Sequence, residues 1–278
     1  MNNELTPTPP GGSWRDAIRG NVLMMGLVSL FTDFSSEMIY PLLPVFIAGL
    51  APAGLAAVYI GVMEGLAESV ASILKYYSGR ISDAVGKRKS LTVIGYGISS
   101  VARPLMGAAG AAWHVVALRF ADRVGKGIRT SPRDALISES VAPEMRGLAF
   151  SFHRAMDHCG AIIGPLAAIA LLQAMLGYTF WRQGSGDAIV SEKEIRALRV
   201  LFWIALLPGA AAMATLVWKV RDRLPQPASS SGSNRPMAST PPSSTPPLPP
   251  RFYGFVASVT LFALGNSSDL FLLFYGQT

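Results

Sequence analysis

Acidic side chains recur at helical spacing inside stretches that are otherwise apolar. Asp33 and Glu37 are four residues apart, as are Glu64 and Glu68, and no basic residue lies within either pair. Residues four apart share one face of a helix, so each pair forms a polar stripe. A charge in hydrocarbon is costly unless it faces a cavity or a partner. The two pairs therefore predict a water-filled path in which carboxyl groups carry protons or bind cations.

A second polar stripe is mainly basic and lies in a stretch rich in Ala, Val, Ile and Leu. It consists of Arg119, Asp122, Arg123, Lys126, Arg129 and Arg133. Arg119 suits a coupling or anion-binding role, with Asp122 and Arg123 beside it as further transport or proton-coupling candidates. Two plainer interpretations stay open. Arg119 and Asp122 can form a structural bridge within one helix, and Arg129 and Arg133 can extend to lipid headgroups.

A third polar group falls within a later apolar stretch and supplies cavity-lining candidates. It contains His153, Arg154 and Asp157. The spacing of His153 and Asp157 allows a divalent metal, whereas polar packing requires none. With two ligands on one helix and no Cys/His cluster elsewhere, we adopt polar packing and expect neither a metal nor a cofactor.

Membrane-spanning helices are the elements that must carry these residues. The 278-residue chain is 50% hydrophobic, only 15% charged and has a mean hydropathy of +0.37, which is too apolar for a soluble domain. Its net charge of +7 is not arranged as a basic stripe with interleaved aromatics, so we expect no nucleic-acid partner. The composition predicts an all-α membrane protein. Its seven predicted spans lie near 20–48, 56–78, 90–110, 112–139, 147–177, 197–219 and 252 to the end.

Composition also divides the chain into four regions: a tail over 1–19, a six-helix bundle over 20–220, a Ser/Pro-rich linker over 221–250 and a seventh span over 251–278. The linker cannot bury apolar area, so we expect it to be disordered. Lys and Arg are concentrated in the loops that the positive-inside rule assigns to the cytoplasm. This places the N-terminus, residues 79–89 and the linker there, and predicts a multi-pass protein of a bacterial-type inner (plasma) membrane.

Residues 79–89 form a polar segment between two predicted spans, and we predict a loop there. Gly79, Asp83, Gly86, Lys87 and Arg88 match the pattern Gly-x-Leu-Ala-Asp-Arg-x-Gly-Arg-Lys. This segment resembles the signature loop between helices 2 and 3 of major facilitator superfamily transporters. The resemblance implies a cytoplasmic gate, in which these residues latch helix ends from the two halves of the protein.

Two weaker motifs agree with the same family. Arg119 followed by Gly125 and Gly127 resembles its helix 4 pattern, which implies a proton-coupling role for the arginine. Gly160, Gly164 and Pro165 resemble the start of the helix 5 packing pattern of its antiporters. Ala168 and Ile169 replace the two glycines that end that pattern.

The resemblance implies the six-helix N-terminal half of a major facilitator fold, followed by helix 7. The expected function is secondary active transport of a small solute or ion by alternating access, with proton coupling, efflux and no enzymatic activity. Because the family has twelve helices in two halves, the chain looks truncated, and a C-terminal half or a second copy is the expected partner.

Two other functions stay open at this point. One is an integral membrane enzyme acting on lipid head groups, with a metal held by Asp122, Asp134, His153 and Asp157. The other is a truncated remnant that does not transport. The sequence leaves the substrate and the direction of transport open.

Overall fold

A computed structural model describes residues 18–86, 88–178, 190–222 and 250–265 of the chain. Regular structure in these residues is helical. The α-helices are α1 (Asn21–Glu37), α2 (Leu43–Ala48), α3 (Ala56–Val85), α4 (Arg88–Leu105), α5 (Ala112–Glu139), α6 (Arg146–Leu176), α7 (Glu192–Ile204), α8 (Leu206–Lys219) and α9 (Pro250–Gly265). Short 3-10 turns occur at Tyr40–Leu42, Met106–Ala108 and Pro143–Met145.

Proline accounts for two breaks that divide predicted spans. The first span consists of α1 and α2, joined by the turn that contains Pro41, and Pro44 lies at the start of α2. The sixth span consists of α7 and α8, with Pro208 in the first turn of α8. A proline removes one backbone donor from the helical ladder, which favours a helix start at these points.

In the part of the chain that the structure describes, four helical segments are long and apolar enough to cross a bilayer: Asn21–Ala48, Ala56–Val85, Pro143–Leu176 and Glu192–Lys219. Helices α4 and α5 lie among them. Helix α5 packs along α3 and α4, whereas α1 packs along α6 and α8. These contacts make α1 and α5 the inner helices of the bundle, and they carry five of the seven predicted transport or proton-coupling residues. The all-α membrane fold is therefore confirmed.

Two glycines let α5 approach a neighbour on either side. A Cβ atom on Gly125 would lie 2.7 Å from Ser99 Oγ of α4, and one on Gly127 would lie 2.6 Å from Leu74 Cβ of α3. Residues two apart on a helix point in nearly opposite directions. The alternating glycines therefore place α5 tightly between α3 and α4.

A second pair of glycines brings α6 against α1. A Cβ atom on Gly160 would lie 3.0 Å from the backbone nitrogen of Phe34, and one on Gly164 would lie 2.8 Å from Glu37 Cβ. Pro165 lies inside α6, which continues to Leu176. The contact joins α6 to the part of α1 that carries Glu37.

The predicted loop over residues 79–89 is wrong in its extent. Helix α3 continues through Val85, so Gly79 and Asp83 are helical, and α4 has begun by Arg88. Gly86 ends α3 with a left-handed φ of 67°, and its N–H donates to the carbonyl of Ser82. Apolar residues persist to position 85, so the helix continues until a glycine provides the left-handed conformation.

Candidate functional site

Asp122 lies at the centre of a buried charge network. Its Oδ1 accepts a hydrogen bond from Arg103 Nε at 3.0 Å, and its Oδ2 accepts one from Arg119 Nη1 at 3.3 Å. All three side chains are at most 5% exposed. The bridge between Arg119 and Asp122 is thus present, but it is one part of a larger arrangement.

Arg103 is the member of this network that the sequence analysis missed. Besides contacting Asp122, it donates through Nη1 to the carbonyl oxygen of Thr32 at 2.9 Å. It therefore joins α4 to both α5 and α1. A single cation near the end of an apolar span forms no periodic stripe. The sequence did contain one signal for Arg103, because a lone Arg in an apolar span raises the free energy of the protein unless it has a partner.

Glu64 contacts the other side of Arg119. Its Oε1 lies 3.7 Å from Arg119 Nε, a distance too long for a hydrogen bond. Tyr40 holds both residues: its hydroxyl donates to Glu64 Oε2 at 3.2 Å, and its ring centroid lies 4.5 Å from the Arg119 guanidinium carbon. Within the described residues, Glu64 Oε1, Arg119 Nε and Arg119 Nη2 are buried and make no hydrogen bond.

The remaining acidic candidates differ in their environment. Glu68 is largely exposed and lies 3.4 Å from Arg123, whose side chain is buried. Asp33 and Glu37 are half-buried on α1. Their carboxylates form no hydrogen bond or ion pair with any part of the chain that the structure describes. The structure thus brings Glu64, Arg119 and Asp122 into one network and places Glu68 with Arg123 one turn away.

The headgroup interpretation is wrong for Arg129. This residue is 5% exposed, donates to Ser99 Oγ at 2.5 Å and has its guanidinium carbon 4.4 Å from the centroid of the Tyr96 ring. A cation buried this deeply between α4 and α5 cannot reach a headgroup. Arg133 pairs with the neighbouring Asp134 at 2.8 Å.

His153 and Asp157 form a separate polar contact between α6 and α1. His153 Nδ1 lies 3.6 Å from Asp157 Oδ2, and Ser29 of α1 donates to Asp157 Oδ1. Exposed Arg154 lies 3.7 Å from the same carboxylate. Among the described residues, no group of three or more His, Cys, Asp or Glu side chains could hold a metal. The residues suggested for a lipid-modifying enzyme are thus not gathered: Asp122 pairs with arginines, and Asp134 pairs with Arg133.

The predicted gate residues lie at one end of the bundle. Arg88 lies 3.6 Å from Asp83 and 2.5 Å from Glu139 at the end of α5. Asp83 is 76% exposed, and Lys87 lies outside the described residues. Arg88 therefore joins the ends of α3, α4 and α5. The gate role of these residues stays a prediction.

The fold and the site define a class of protein. The chain is a multi-pass α-helical membrane protein in which Glu64, Arg119 and Asp122 meet inside the bundle. It belongs to the Major Facilitator Superfamily, whose family model matches residues 21–278. The resemblance noted in the sequence is thereby confirmed.

Similar proteins come from an archaeon and from bacteria. The uncharacterized MFS-type transporter MJ1317 of Methanocaldococcus jannaschii is 41% identical over 160 residues, which are 58% of this chain and 39% of that protein. The uncharacterized protein Rv2265 of Mycobacterium tuberculosis is 34% identical over 250 residues, 88% of this chain and 55% of the relative. The multidrug resistance protein MdtH of Salmonella newport is 33% identical over 120 residues, 43% of this chain and 30% of that protein. The chain spans about half the length of Rv2265 and less of the other two.

Proposed function

We propose that this protein acts in secondary active transport, moving a small solute across a membrane by alternating access coupled to protons. The observation that carries the proposal is the buried network of Glu64, Arg119, Asp122 and Arg103 within an apolar bundle. Buried charges inside a membrane are costly and mark solute or proton pathways. Membership of the Major Facilitator Superfamily supports the same function.

The two ends of this network have different strengths, which suggests different roles. Arg103 and Asp122 are joined by a 3.0 Å hydrogen bond and are anchored to α1, so they form the fixed end. Glu64 and Arg119 are 3.7 Å apart with unpaired atoms, so theirs is the contact that can open. Protonation of Glu64 would release Arg119 from this contact but would also remove the negative charge that attracts a cationic group of the solute, so proton and solute compete for Glu64. This competition is the proposed basis of coupling.

Asp33, Glu37 and Glu68 are proposed as further proton or cation sites. Asp33 and Glu37 have no ion-pair partner in the described part of α1 and its neighbours, which leaves both available. Exposed Glu68 can release Arg123 as Glu64 can release Arg119. His153, Arg154 and Asp157 line the adjoining wall on α6 in this proposal.

Efflux is the proposed direction, and proton antiport is the proposed mode. The name of the relative MdtH, a multidrug resistance protein, supports efflux. Gly160, Gly164 and Pro165 support antiport through their resemblance to the helix 5 pattern. We place the protein in a bacterial-type inner membrane with its N-terminus in the cytoplasm, on the basis of loop charge. No catalytic step forms part of this proposal.

Alternating access requires a second bundle, from further sequence or from a second copy. Large apolar side chains lie exposed on several helices of the described bundle, including Val62 and Leu66 on α3 and Ile162 and Leu166 on α6. We propose that part of this surface meets the second bundle, with Asp83 and Arg88 acting at the cytoplasmic side of the contact.

A flux screen on the purified full chain in proteoliposomes tests the proposed function. The vesicles contain a pH-sensitive dye, and candidate solutes of each charge class are added outside. Transport coupled to protons predicts a solute-dependent change in internal pH, which Arg119→Gln abolishes and Arg196→Gln at an exposed position of α7 leaves intact. A screen in which no solute moves protons or itself across the membrane would count against the proposal.

A further inference from the structure

Arg119 has one free edge of its guanidinium group. Its Nη1 donates to Asp122, and its face lies against the Tyr40 ring. Nε and Nη2 share the remaining edge of the planar group; neither forms a hydrogen bond within the described residues, and Nε faces Glu64 Oε1 at 3.7 Å. Such an edge presents two parallel N–H donors, which match the two oxygens of a carboxylate. A side chain that is 4% exposed and still has this edge open is arranged to receive an acceptor.

An unpaired acceptor lies beside that edge. Glu64 Oε1 is 3.7 Å from Arg119 Nε, is buried and has no hydrogen-bond donor in the described residues. The other Glu64 oxygen accepts from the Tyr40 hydroxyl, which fixes the carboxylate plane. Orphaned donors and an orphaned acceptor therefore lie side by side, and Tyr40 orients both groups. A hydrogen-bond partner for the Arg119 edge, or for Glu64 Oε1, would lower the free energy of the site.

A ligand that satisfies both groups must carry an acceptor and a donor close together. A lone anion would pair with Arg119 but would be repelled by Glu64. A lone cation would pair with Glu64 but would be repelled by Arg119. An ammonium group and a carboxylate on the same or adjacent carbon atoms avoid both penalties. The carboxylate takes the free edge of Arg119, and the ammonium group donates to Glu64 Oε1.

We infer that the contact between Glu64 and Arg119 is a binding site for the head group of a zwitterionic solute of the amino-acid type. This inference rests on the proposed transport function and names its solute class. Arg103 contributes indirectly. It neutralises Asp122, so that carboxylate does not draw further Arg119 donors away from the site.

Thermal unfolding of the purified full chain with matched solutes tests this inference at constant ionic strength and pH. L-alanine carries both charges, propionate only the carboxylate and ethylammonium only the ammonium group. L-leucine adds apolar bulk, and γ-aminobutyrate separates the two charges. A fitting zwitterion at saturating concentration should raise the melting temperature by about 3 °C or more. Propionate, ethylammonium and γ-aminobutyrate should each have a smaller effect.

Three variants assign the effect to the site. Arg119→Gln should remove the response to L-alanine and L-leucine, and Glu64→Gln should reduce it to the level seen with propionate. Arg119→Lys keeps the charge but loses the two-donor edge, so it should also lose the response. Arg146→Gln, at an exposed position, is the matched control. If Arg119→Gln fails to fold, the comparison of solutes on the unaltered protein still decides whether the protein prefers a zwitterion to a solute with a single charge.

Two results would overturn the inference. One is a melting temperature that propionate or ethylammonium raises as much as L-alanine and L-leucine do. The other is a series in which neither amino acid raises it at all. If solutes of another class still drive proton flux in vesicles, only the zwitterion site fails and transport stands. If amino acids bind but nothing is transported, the site stands and the proposed function fails.

Discussion

At the scale of residues, the ion pairs of Asp122 determine how the buried network responds to substitution. Arg103 and Arg119 both donate to it, and all three side chains are at most 5% exposed. Removing one member of a buried ion pair leaves an uncompensated charge, which costs far more than the net stabilisation that the pair provides. The network should therefore be intolerant of single changes and tolerant of paired ones.

Single and paired changes in the buried network should therefore differ in their effect on stability. Asp122→Leu should lower the free energy of unfolding by about 3–5 kcal/mol, because it leaves two buried arginines without a shared carboxylate. The double variant Asp122→Leu with Arg103→Leu should recover a large part of that loss. Thermal unfolding in one detergent measures both. Additive losses in the double variant would show that the two side chains do not interact.

The second prediction concerns Tyr40. Tyr40→Phe keeps the ring against Arg119 but removes the hydroxyl that donates to Glu64 at 3.2 Å. We expect a loss of about 1 kcal/mol in stability and a weaker response to zwitterionic solutes, because Glu64 loses its fixed orientation. Tyr76→Phe on the exposed surface of α3 is the control. Unchanged solute binding in Tyr40→Phe would remove this residue from the site.

At the scale of elements, glycines set the distances between the inner helices and their neighbours. Gly160 and Gly164 permit α6 to approach α1 beside Phe34 and Glu37, and Gly125 and Gly127 permit α5 to lie between α3 and α4. The contacts of Gly125 and Gly127 position the charged network, because Glu64 lies on α3, Arg103 lies on α4, and Arg119 and Asp122 lie on α5.

The third prediction follows from Gly164. A methyl group there would lie 2.8 Å from Glu37 Cβ and 2.9 Å from the Phe34 carbonyl oxygen, so Gly164→Ala requires α1 and α6 to separate. We expect a loss of about 1–3 kcal/mol. Gly65→Ala on α3, where a methyl group meets nothing within 4 Å, should be neutral or stabilising. Thermal unfolding compares the two, and equal stability would contradict the tight contact.

Much of the element level could be predicted from the sequence, and its failures have physical causes. The spans near 112–139 and 147–177 match α5 and α6 within a residue, although charged side chains make the first of them the least apolar of the predicted spans. The loop at 79–89 was wrong because polar residues can also occupy a helix end that leaves the membrane. Its true turn depends on the backbone conformation of one glycine, Gly86.

The candidate site was only partly predictable. Helical spacing identified Glu64, Arg119 and Asp122 as polar faces, but spacing within one helix cannot show which faces meet. Arg103 escaped notice because its partners, Asp122 and the Thr32 carbonyl, belong to other helices. The sequence left a headgroup role open for Arg129, because its burial depends on Gly95, which leaves room for it on α4.

At the scale of the whole molecule, the described helices enclose a charged network within an apolar bundle. The fixed contact between Arg103 and Asp122 and the loose contact between Arg119 and Glu64 share one helix, α5. In the proposed cycle, the fixed contact keeps the bundle rigid while the loose contact exchanges a proton for a solute. The central claim is therefore that Glu64 links proton movement to solute movement.

The most direct test compares unaltered protein with Glu64→Gln in proteoliposomes, using a solute that the flux screen identifies. We expect Glu64→Gln to exchange labelled solute when solute is present at saturating concentration on both sides, because this exchange requires no net proton movement and the high concentration offsets the weaker binding expected for the variant. We also expect that the variant no longer changes internal pH when solute is added on one side. Proton movement in Glu64→Gln equal to that of the unaltered protein would contradict the account.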